Sequence, residues 1–537
     1  MSDTKGFGFY QLTFLIAIVS MNRRRYLIFG STAIATGLAG CQFGDSNTSQ
    51  TNSEGPEDGS NKNNSPDSSK PINAQEIFAP ESVQVDEEFT TKLTLVNNGD
   101  QEKTYTGTLA VSGEEISTEE DVEATLSSGE TKEVEVLVLR PECEGMITIE
   151  LVDEAISRRV EVTNYPTPRS DVEDHRYSEG NDGVAEYPGP SSPPAKEQEY
   201  ENALSATVRI NENLLATFGK TGVRVMGPDG EERWSDELQA ANSNLALFEG
   251  RLYLVDKNDL LCYDVETGEV LWEFTEAGPP SDEVFYTEMY GTPLLSDGAV
   301  YFNGMHGQVW AVNAISGCKQ WNTSLTPDGE NHGISGIPAI KNDTLYIVGD
   351  DGIGRSSKGP LCALNKETGE IQWKTDEQNV IGETTPVKGS HVYVRTHERD
   401  GLSSTETVRA YDIETGSTDW ETELNNLSTS VVVDSDRVYV GRSWPTANSN
   451  GELVALNRSN GDVEWRTEPD AGIVDAPVVG TNSLFVTDWE DNLYSIAPGS
   501  GEVNWEVSDL VRRSTPIIHE DRLYLISSQS NQLTAFA

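Results

Sequence analysis

From about residue 206 onward the chain alternates short apolar runs with small polar turns, and the alternation itself repeats. Seven glycines are each followed four residues later by a tryptophan: Gly230 by Trp234, Gly268 by Trp272, Gly317 by Trp321, Gly369 by Trp373, Gly416 by Trp420, Gly461 by Trp465 and Gly501 by Trp505. Successive tryptophans lie 38 to 52 residues apart, which is the period of a propeller or solenoid. Six positions before the glycine the residue is small (Cys262, Ala311, Ala363, Ala410, Ala455, Ser495). Four before, it is Asp or Asn (Asp264, Asn313, Asn365, Asp412, Asn457), with Ala497 as the exception. A large apolar residue lies between the two, so small and large side chains fall on opposite faces of a packed strand. The repeated Asp or Asn is suited to accept hydrogen bonds from the backbone of the turn that the glycine completes, a structural role and not a catalytic one. Two further strand-like runs precede each hairpin, for example Thr292 to Leu295, a Ser-Asp-Gly turn, then Val300 to Phe302. Each unit is therefore predicted to be four short antiparallel strands.

This pattern resembles the PQQ-like β-propeller repeat family, in particular its non-enzymatic, BamB-like branch. The resemblance covers residues 197–537 and implies an all-β fold with an eight-bladed β-propeller: seven tryptophan units and a last unit, 514–537, that supplies three strands. The outer strand missing from that unit is expected from Glu197 to Asn202, upstream of an inner strand at Ala206 to Arg209. Such pairing hides an open edge. A seven-bladed ring is the alternative.

Upstream, residues 75–163 alternate as well, through Thr91 to Gly99, Val134 to Leu139, Met146 to Val152 and Arg158 to Val162. They predict a small β-sandwich. The segment Leu93 to Gly99 resembles CARDB-type, immunoglobulin-like modules of exported proteins, for which a spacer role is expected. A Pro- and Asp-rich linker, 164–196, is expected to pack partly on the propeller. Residues 42–74, rich in Ser, Asn, Asp and Gly, read as an unstructured tether.

Residues 1–41 read as an export signal. Arg23, Arg24 and Arg25 precede the apolar stretch Ile28 to Leu38, which ends in Leu38-Ala39-Gly40-Cys41. This resembles a twin-arginine signal closed by a lipobox, which implies a lipid on Cys41 and anchoring to the outer face of the cytoplasmic membrane. The apolar run is too short to span a bilayer as a helix. Met21 is the expected start.

Charge then sets the environment. There are 38 Lys plus Arg against 89 Asp plus Glu, a formal charge of −51 spread along the chain. Such self-repulsion is tolerable where salt screens charges within a few ångström, so a halophile's exported protein is expected. The same charge argues against nucleic-acid binding, which needs a basic face. Of five cysteines, Cys41 belongs to the signal, Cys143 is expected to stand alone, and Cys262, Cys318 and Cys362 fall at different registers, leaving their pairing open.

Quinoprotein dehydrogenases of the resembling family cover PQQ with an adjacent cysteine pair and use calcium. This sequence has no Cys-Cys dipeptide, and no Gly-x-Ser-x-Gly, phosphate-loop or His-Glu-x-x-His spacing. No catalytic residue, metal site or cofactor is expected, and a solvated acidic loop is the preferred reading of Gly349 to Gly352. Short turns leave one face of a propeller and long connections the other: Asp350 to Gly359, Arg395 to Thr407, Arg442 to Gly451, 275–290 and 324–335. The long connections carry Tyr286, Tyr290, Arg355, Arg395, Arg399, Trp444, Asp488 and Trp489, an aromatic and charged set suited to recognition. The expected function is a binding or scaffolding propeller at the cell surface, without catalysis, with other surface or exported proteins as partners. A PQQ-dependent quinoprotein oxidoreductase and an extracellular ligand-sensing subunit are the alternatives.

Overall fold

A glycine turn of the repeated kind closes on the carbonyl four residues earlier, and all six such turns from Gly268 to Gly501 do so at 2.8 to 2.9 Å. These contacts are seen in a computed structural model that describes residues 72–163, 184–200, 207–275, 293–325, 337–349, 358–443, 451–508, 515–527 and 532–537, less short gaps inside these stretches. The described residues are strands, turns and loops. The chain divides into two compact units, residues 1–165 and 166–537.

In the second unit the Asp or Asn of each turn plays the expected role. Asp264 Oδ1 accepts the N–H groups of Glu266 and Thr267 at 3.1 and 2.8 Å. Asn313, Asn365 and Asp412 do the same two and three residues onward. Ala497 manages with its backbone carbonyl alone.

The six glycines from Gly268 to Gly501 have φ between 66° and 75°, a conformation costly for any residue with a Cβ. A second constraint falls on the same atoms. In the six units from Trp234 to Trp465 the tryptophan lies over the glycine of the next unit, so that a Cβ on Gly416 would meet Trp373 at 2.5 Å and one on Gly268 would meet Trp234 at 2.7 Å. Each indole N–H donates to the carbonyl just after the next unit's Asp or Asn position: Trp234 to Val265 at 2.7 Å, Trp272 to Ala314 at 3.2 Å, Trp321 to Lys366 at 2.8 Å, Trp373 to Ile413 and Trp420 to Arg458 at 3.0 Å, and Trp465 to Pro498 at 2.9 Å. The small residue six before the glycine is explained by register. Cys262, Ala311, Ala363, Ala410, Ala455 and Ser495 stand across the strand pair from Trp272, Trp321, Trp373, Trp420, Trp465 and Trp505.

Among the described residues, unit two contains eight antiparallel sheets, within 207–236, 245–274, 294–324, 339–374, 387–423, 432–467, 478–507 and 517–536. We number them one to eight. The outer strand of sheet eight is Lys196–Tyr200, paired with Gln532–Phe536 through Leu533↔Tyr200, Thr534↔Glu199 and Ala535↔Gln198. Ala195 and Ala537 exchange backbone hydrogen bonds at 2.9 and 3.1 Å, and Glu197 accepts two from Arg522 at 2.6 and 3.2 Å. Gln198 occupies the register that tryptophan holds elsewhere. The ring of Tyr200, two residues on, lies 3.3 Å from where a Cβ on Gly230 would sit.

One expected loop is a strand pair. The sequence suggests a long connection from Arg395 to Thr407, but His391–Asp400 and Ser403–Asp412 pair along ten registers, from His391↔Asp412 to Asp400↔Ser403. Alternation through Val392, Val394 and Thr396, with Thr407 and Thr405 on the same face of the partner strand, carries the ladder past the charged residues that suggest a loop. Lys358–Gly359 and Val380–Ile381 add to its flank.

Unit one holds a three-stranded sheet, Ile72–Phe78, Phe89–Asn97 and Thr131–Leu139, and a five-stranded sheet. The two share one core that includes Leu93, Leu95, Leu109, Ile149 and Val160. The first strand opens at Ile72, within the expected tether. The five-stranded sheet includes one parallel pair, Ser82–Gln84 with the strand Ile156–Thr163.

The double demand on the turn glycines yields a direct comparison. Gly250→Ala, at φ 75° with open space around it, should cost about 1–2 kcal/mol in stability by denaturant unfolding. Gly416→Ala should cost about 1–3 kcal/mol more, because the Trp373 ring must move. Equal costs would show that the ring contact is not tight.

The turn carboxylates give a pH dependence. Asp412 is held below the ordinary aspartate range by the Thr415 hydroxyl, then by the Thr415 N–H. Its depressed value means that the stabilisation is present at neutral pH and is lost as pH falls through the folded-state value. Asn365 forms the same turn uncharged, so Asp412→Asn should retain stability at pH 7 and lose less of it on acidification. An acid titration of the melting temperature checks this.

Candidate functional site

The ends of sheets five, six and seven are joined by a band of side-chain to backbone contacts. On the long hairpin of sheet five, Arg395 donates to the carbonyl of Thr429 at 3.0 Å. Glu406 takes His397 Nδ1 on one oxygen at 3.2 Å and the N–H of Leu427 on the other at 2.6 Å. The segment so captured, 427–431, continues the band into sheet six: Thr429 Oγ1 accepts the N–H of Gly441 at 2.8 Å, and Ser428 Oγ donates to the carbonyl of Ile473 at 3.0 Å. From there the Trp489 N–H reaches the carbonyl of Gly472 at 3.0 Å. Polar side chains here hold loop backbone whose own partners lie outside any ladder, which is the requirement for burying irregular chain.

Within the band sits a charge cluster. Glu452, 7% exposed, opens the strand Glu452–Asn457 and receives both Arg442 and Arg466, the latter at 2.6 Å. Arg442 and Glu452 face each other in register.

Asp488 corrects its expected exposure. It is completely buried, and its carboxylate is filled by four donors: Glu490 N and Asn492 N on Oδ1 at 2.9 and 3.0 Å, and Asn492 Nδ2 and the Tyr494 hydroxyl on Oδ2, both at 3.0 Å. Burial, with the Asp488 charge adding to it, drives the Tyr494 phenol well above its ordinary range, so it remains a protonated donor. Asp488 therefore builds the turn that presents its neighbour. Trp489 is 47% exposed, and Gly472 beside it has no room for a side chain: a Cβ would meet Ser443 Oγ at 2.2 Å and Trp489 Cδ1 at 2.8 Å.

Of the expected face residues, Arg395, Asp488 and Trp489 thus fall on one band, with Arg395 and Trp489 at its two ends. Arg399 pairs in register with Ser404, and its side chain is outside the described set. Tyr286, Tyr290, Arg355 and Trp444 lie outside the described residues, as do Arg23, Arg24, Arg25, Cys41 and the acidic positions Asp350 and Asp351. His397, Glu406, Glu452 and Gly472 are not visible to sequence reasoning: Glu406 meets Leu427 and Gly472 meets Trp489 from neighbouring repeats, while His397 and Glu452 meet their partners across strands of their own sheets. Cys262 and Cys362 are free and buried, and burial pushes both thiols up to about 12, far from reactive thiolates. Cys143, expected to stand alone, and Cys318 are each held in a disulfide.

The two neighbours Asp488 and Trp489 should behave oppositely on substitution. Asp488→Ala strands several buried donors, each worth about 1–3 kcal/mol when unsatisfied, and should lower the melting temperature clearly. Trp489→Ala should change stability by about 1 kcal/mol or less, as surface substitutions do. Thermal unfolding of both variants checks the assignment.

Comparison with known proteins bears on the repeats. The sequence pattern of the family described as outer membrane protein assembly factor BamB matches residues 219–354, 326–441 and 404–537. The BamB of Yersinia pestis is 25% identical over 48% of this chain and 51% of its own length. The BamB of Shewanella oneidensis is 21% identical over 60% of this chain and 72% of its own. The chain thus spans about half the length of the first of these relatives. Among solved structures, the quinohemoprotein alcohol dehydrogenase of Comamonas testosteroni is 11% identical with a TM-score of 0.50, over 69% of this chain and 81% of that one, a likeness of fold alone. The glycine and tryptophan repeats, the four-stranded sheets and the family match together make this chain a β-propeller protein of the PQQ-like repeat family described as outer membrane protein assembly factor BamB.

Proposed function

We propose that the protein is an exported, lipid-anchored binding or scaffolding propeller of eight blades, without catalysis, carried behind an immunoglobulin-like spacer module. The observation that carries this reading is the division of labour across sheets five to seven. His397, Glu406, Glu452 and Asp488 are each engaged in fixing backbone or arginine, while Trp489 is left half exposed. Such a face is positioned to be recognised; an acid, base or nucleophile at the disposal of a substrate is not among these four. Partners would be other surface or exported proteins, in keeping with relatives named as assembly factors. Arg23 to Arg25 and Cys41 support export and anchoring on the outer face of the cytoplasmic membrane, and the charge of −51 supports work in high salt.

The quinoprotein reading has the Comamonas fold neighbour on its side, but the chain lacks an adjacent cysteine pair, and no cofactor is proposed. A cofactor bound at hundredfold excess over its dissociation constant would stabilise the fold by about 2.7 kcal/mol. PQQ with calcium should therefore give no thermal shift and no dye-linked oxidation of alcohols or sugars. Crosslinking at the native surface should capture a partner protein, and the Trp444→Ala, Trp489→Ala double variant should lose at least tenfold of that capture at unchanged melting temperature. A PQQ shift with capture intact would reverse the ranking. Cys41→Ser should release the protein from the membrane fraction after a high-salt wash; retention would refute the lipid anchor.

A further inference from the structure

Six seams between successive sheets of unit two carry the tryptophan contact, from Trp234 to Trp465. The seam between sheets seven and eight is built differently. The outer strand of sheet eight comes from Lys196–Tyr200, so no glycine turn faces Trp505, and its buried indole N–H has no acceptor. A buried donor left without a partner weakens a contact that is strengthened by one elsewhere.

Residues 184–195 lie at this seam. Val184 pairs in parallel with Val479. The N–H of Ala185 donates to the carbonyl of Val479 at 2.7 Å, and the N–H of Thr481 to the carbonyl of Tyr187 at 3.1 Å. These bonds occupy the edge of the first strand of sheet seven, Val478–Val479, whose other edge pairs with Leu484–Thr487. The approach is close: a Cβ on Gly480 would sit 2.8 Å from the Pro188 carbonyl and 2.9 Å from that of Tyr187. Ala185, 1% exposed, belongs to the cluster of Phe485, Trp505, Ile518 and Leu523, which spans both sheets. Gly189, at φ 67°, passes against the Phe485 ring, where a Cβ would lie at 2.8 Å, and Ile518 of sheet eight is 3.7 Å from the same point. Tyr187 meets His519 edge-on with ring centres 5.3 Å apart. The segment then reaches Ala195, which exchanges hydrogen bonds with Ala537, and enters the outer strand of sheet eight.

We propose that residues 184–195 are a strap that replaces the tryptophan lock between sheets seven and eight, bridging the inner strand of one to the outer strand of the other. The composition supports the part: Pro188, Pro190, Pro193 and Pro194 stiffen an extended path, while Ala185 and Gly189 stand where the packing leaves no space for more. What reads as an interdomain linker is thus a working piece of the propeller.

The test uses the full chain in high salt, with hydrogen exchange read peptide by peptide. Gly480→Ala presses a methyl into the strap, Ala185→Arg forces a charge into its buried foot, and Gly499→Ala, with open space around it, is the control. Exchange across Gln532–Phe536 and Lys196–Tyr200 should rise at least tenfold in one or both strap variants. Sheets two to five and the control should keep the wild-type rate. Wild-type exchange at sheet eight in both strap variants overturns the proposal. So does equal acceleration in all sheets, which would mark a general loss of stability and not a seam.

Discussion

The propeller depends on one directional contact, an indole N–H that crosses a seam to a carbonyl of the next sheet above a glycine with no space for a side chain. A net hydrogen bond is worth only about 0.5–1.5 kcal/mol, but here it fixes a large aromatic ring in the packing of the seam. The same hairpin supplies the glycine turn to one neighbour and the tryptophan to the other. Local register therefore settles the packing of whole sheets. The small residue six before the glycine, the left-handed turn and the Asp or Asn acceptor all serve to place that ring.

The candidate face stands on the sheets where this contact is uninterrupted. Sheets five, six and seven are joined through Trp420 with Arg458 and Trp465 with Pro498, and Trp373 ties sheet four to sheet five. Loops rooted in so fixed a frame can hold an exposed tryptophan at little entropic cost on binding. The seam around sheet eight has other means: the Arg522 and Glu197 pair, Tyr200 over Gly230, and the strap. Sheet seven thus serves both, with Asp488 in the band of the candidate face and Val479 and Phe485 against the strap.

What the sequence made legible was whatever repeats within a few residues. The glycine, the Asp or Asn, the small residue and the tryptophan are all local in the chain, and so was the prospect that a strand near Glu197 would pair with Leu533 to Phe536, since an open edge had to be met. Features held by neighbouring repeats were not legible. Glu406 gains its meaning from the N–H of Leu427, and Gly472 from the Trp489 ring beside it. Asp488 was misread because an acid beside an exposed tryptophan suggests surface, whereas its four donors come from the next six residues folded over it. The hairpin through Arg395 suggests a loop because its charges mask β-branched alternation on the other face. Residues 184–195 look like a linker by composition, and only the distant Val479 shows that they are part of a sheet.

Since each hairpin carries both halves of the contact, a repeat copied in tandem brings its own ring and its own socket. A duplication of any 38- to 52-residue unit between Trp234 and Trp465 would enter the series with both neighbours already matched, whereas one spanning Trp505 would not. The middle repeats are in this sense interchangeable modules, whereas sheet eight, with its borrowed strand, is not.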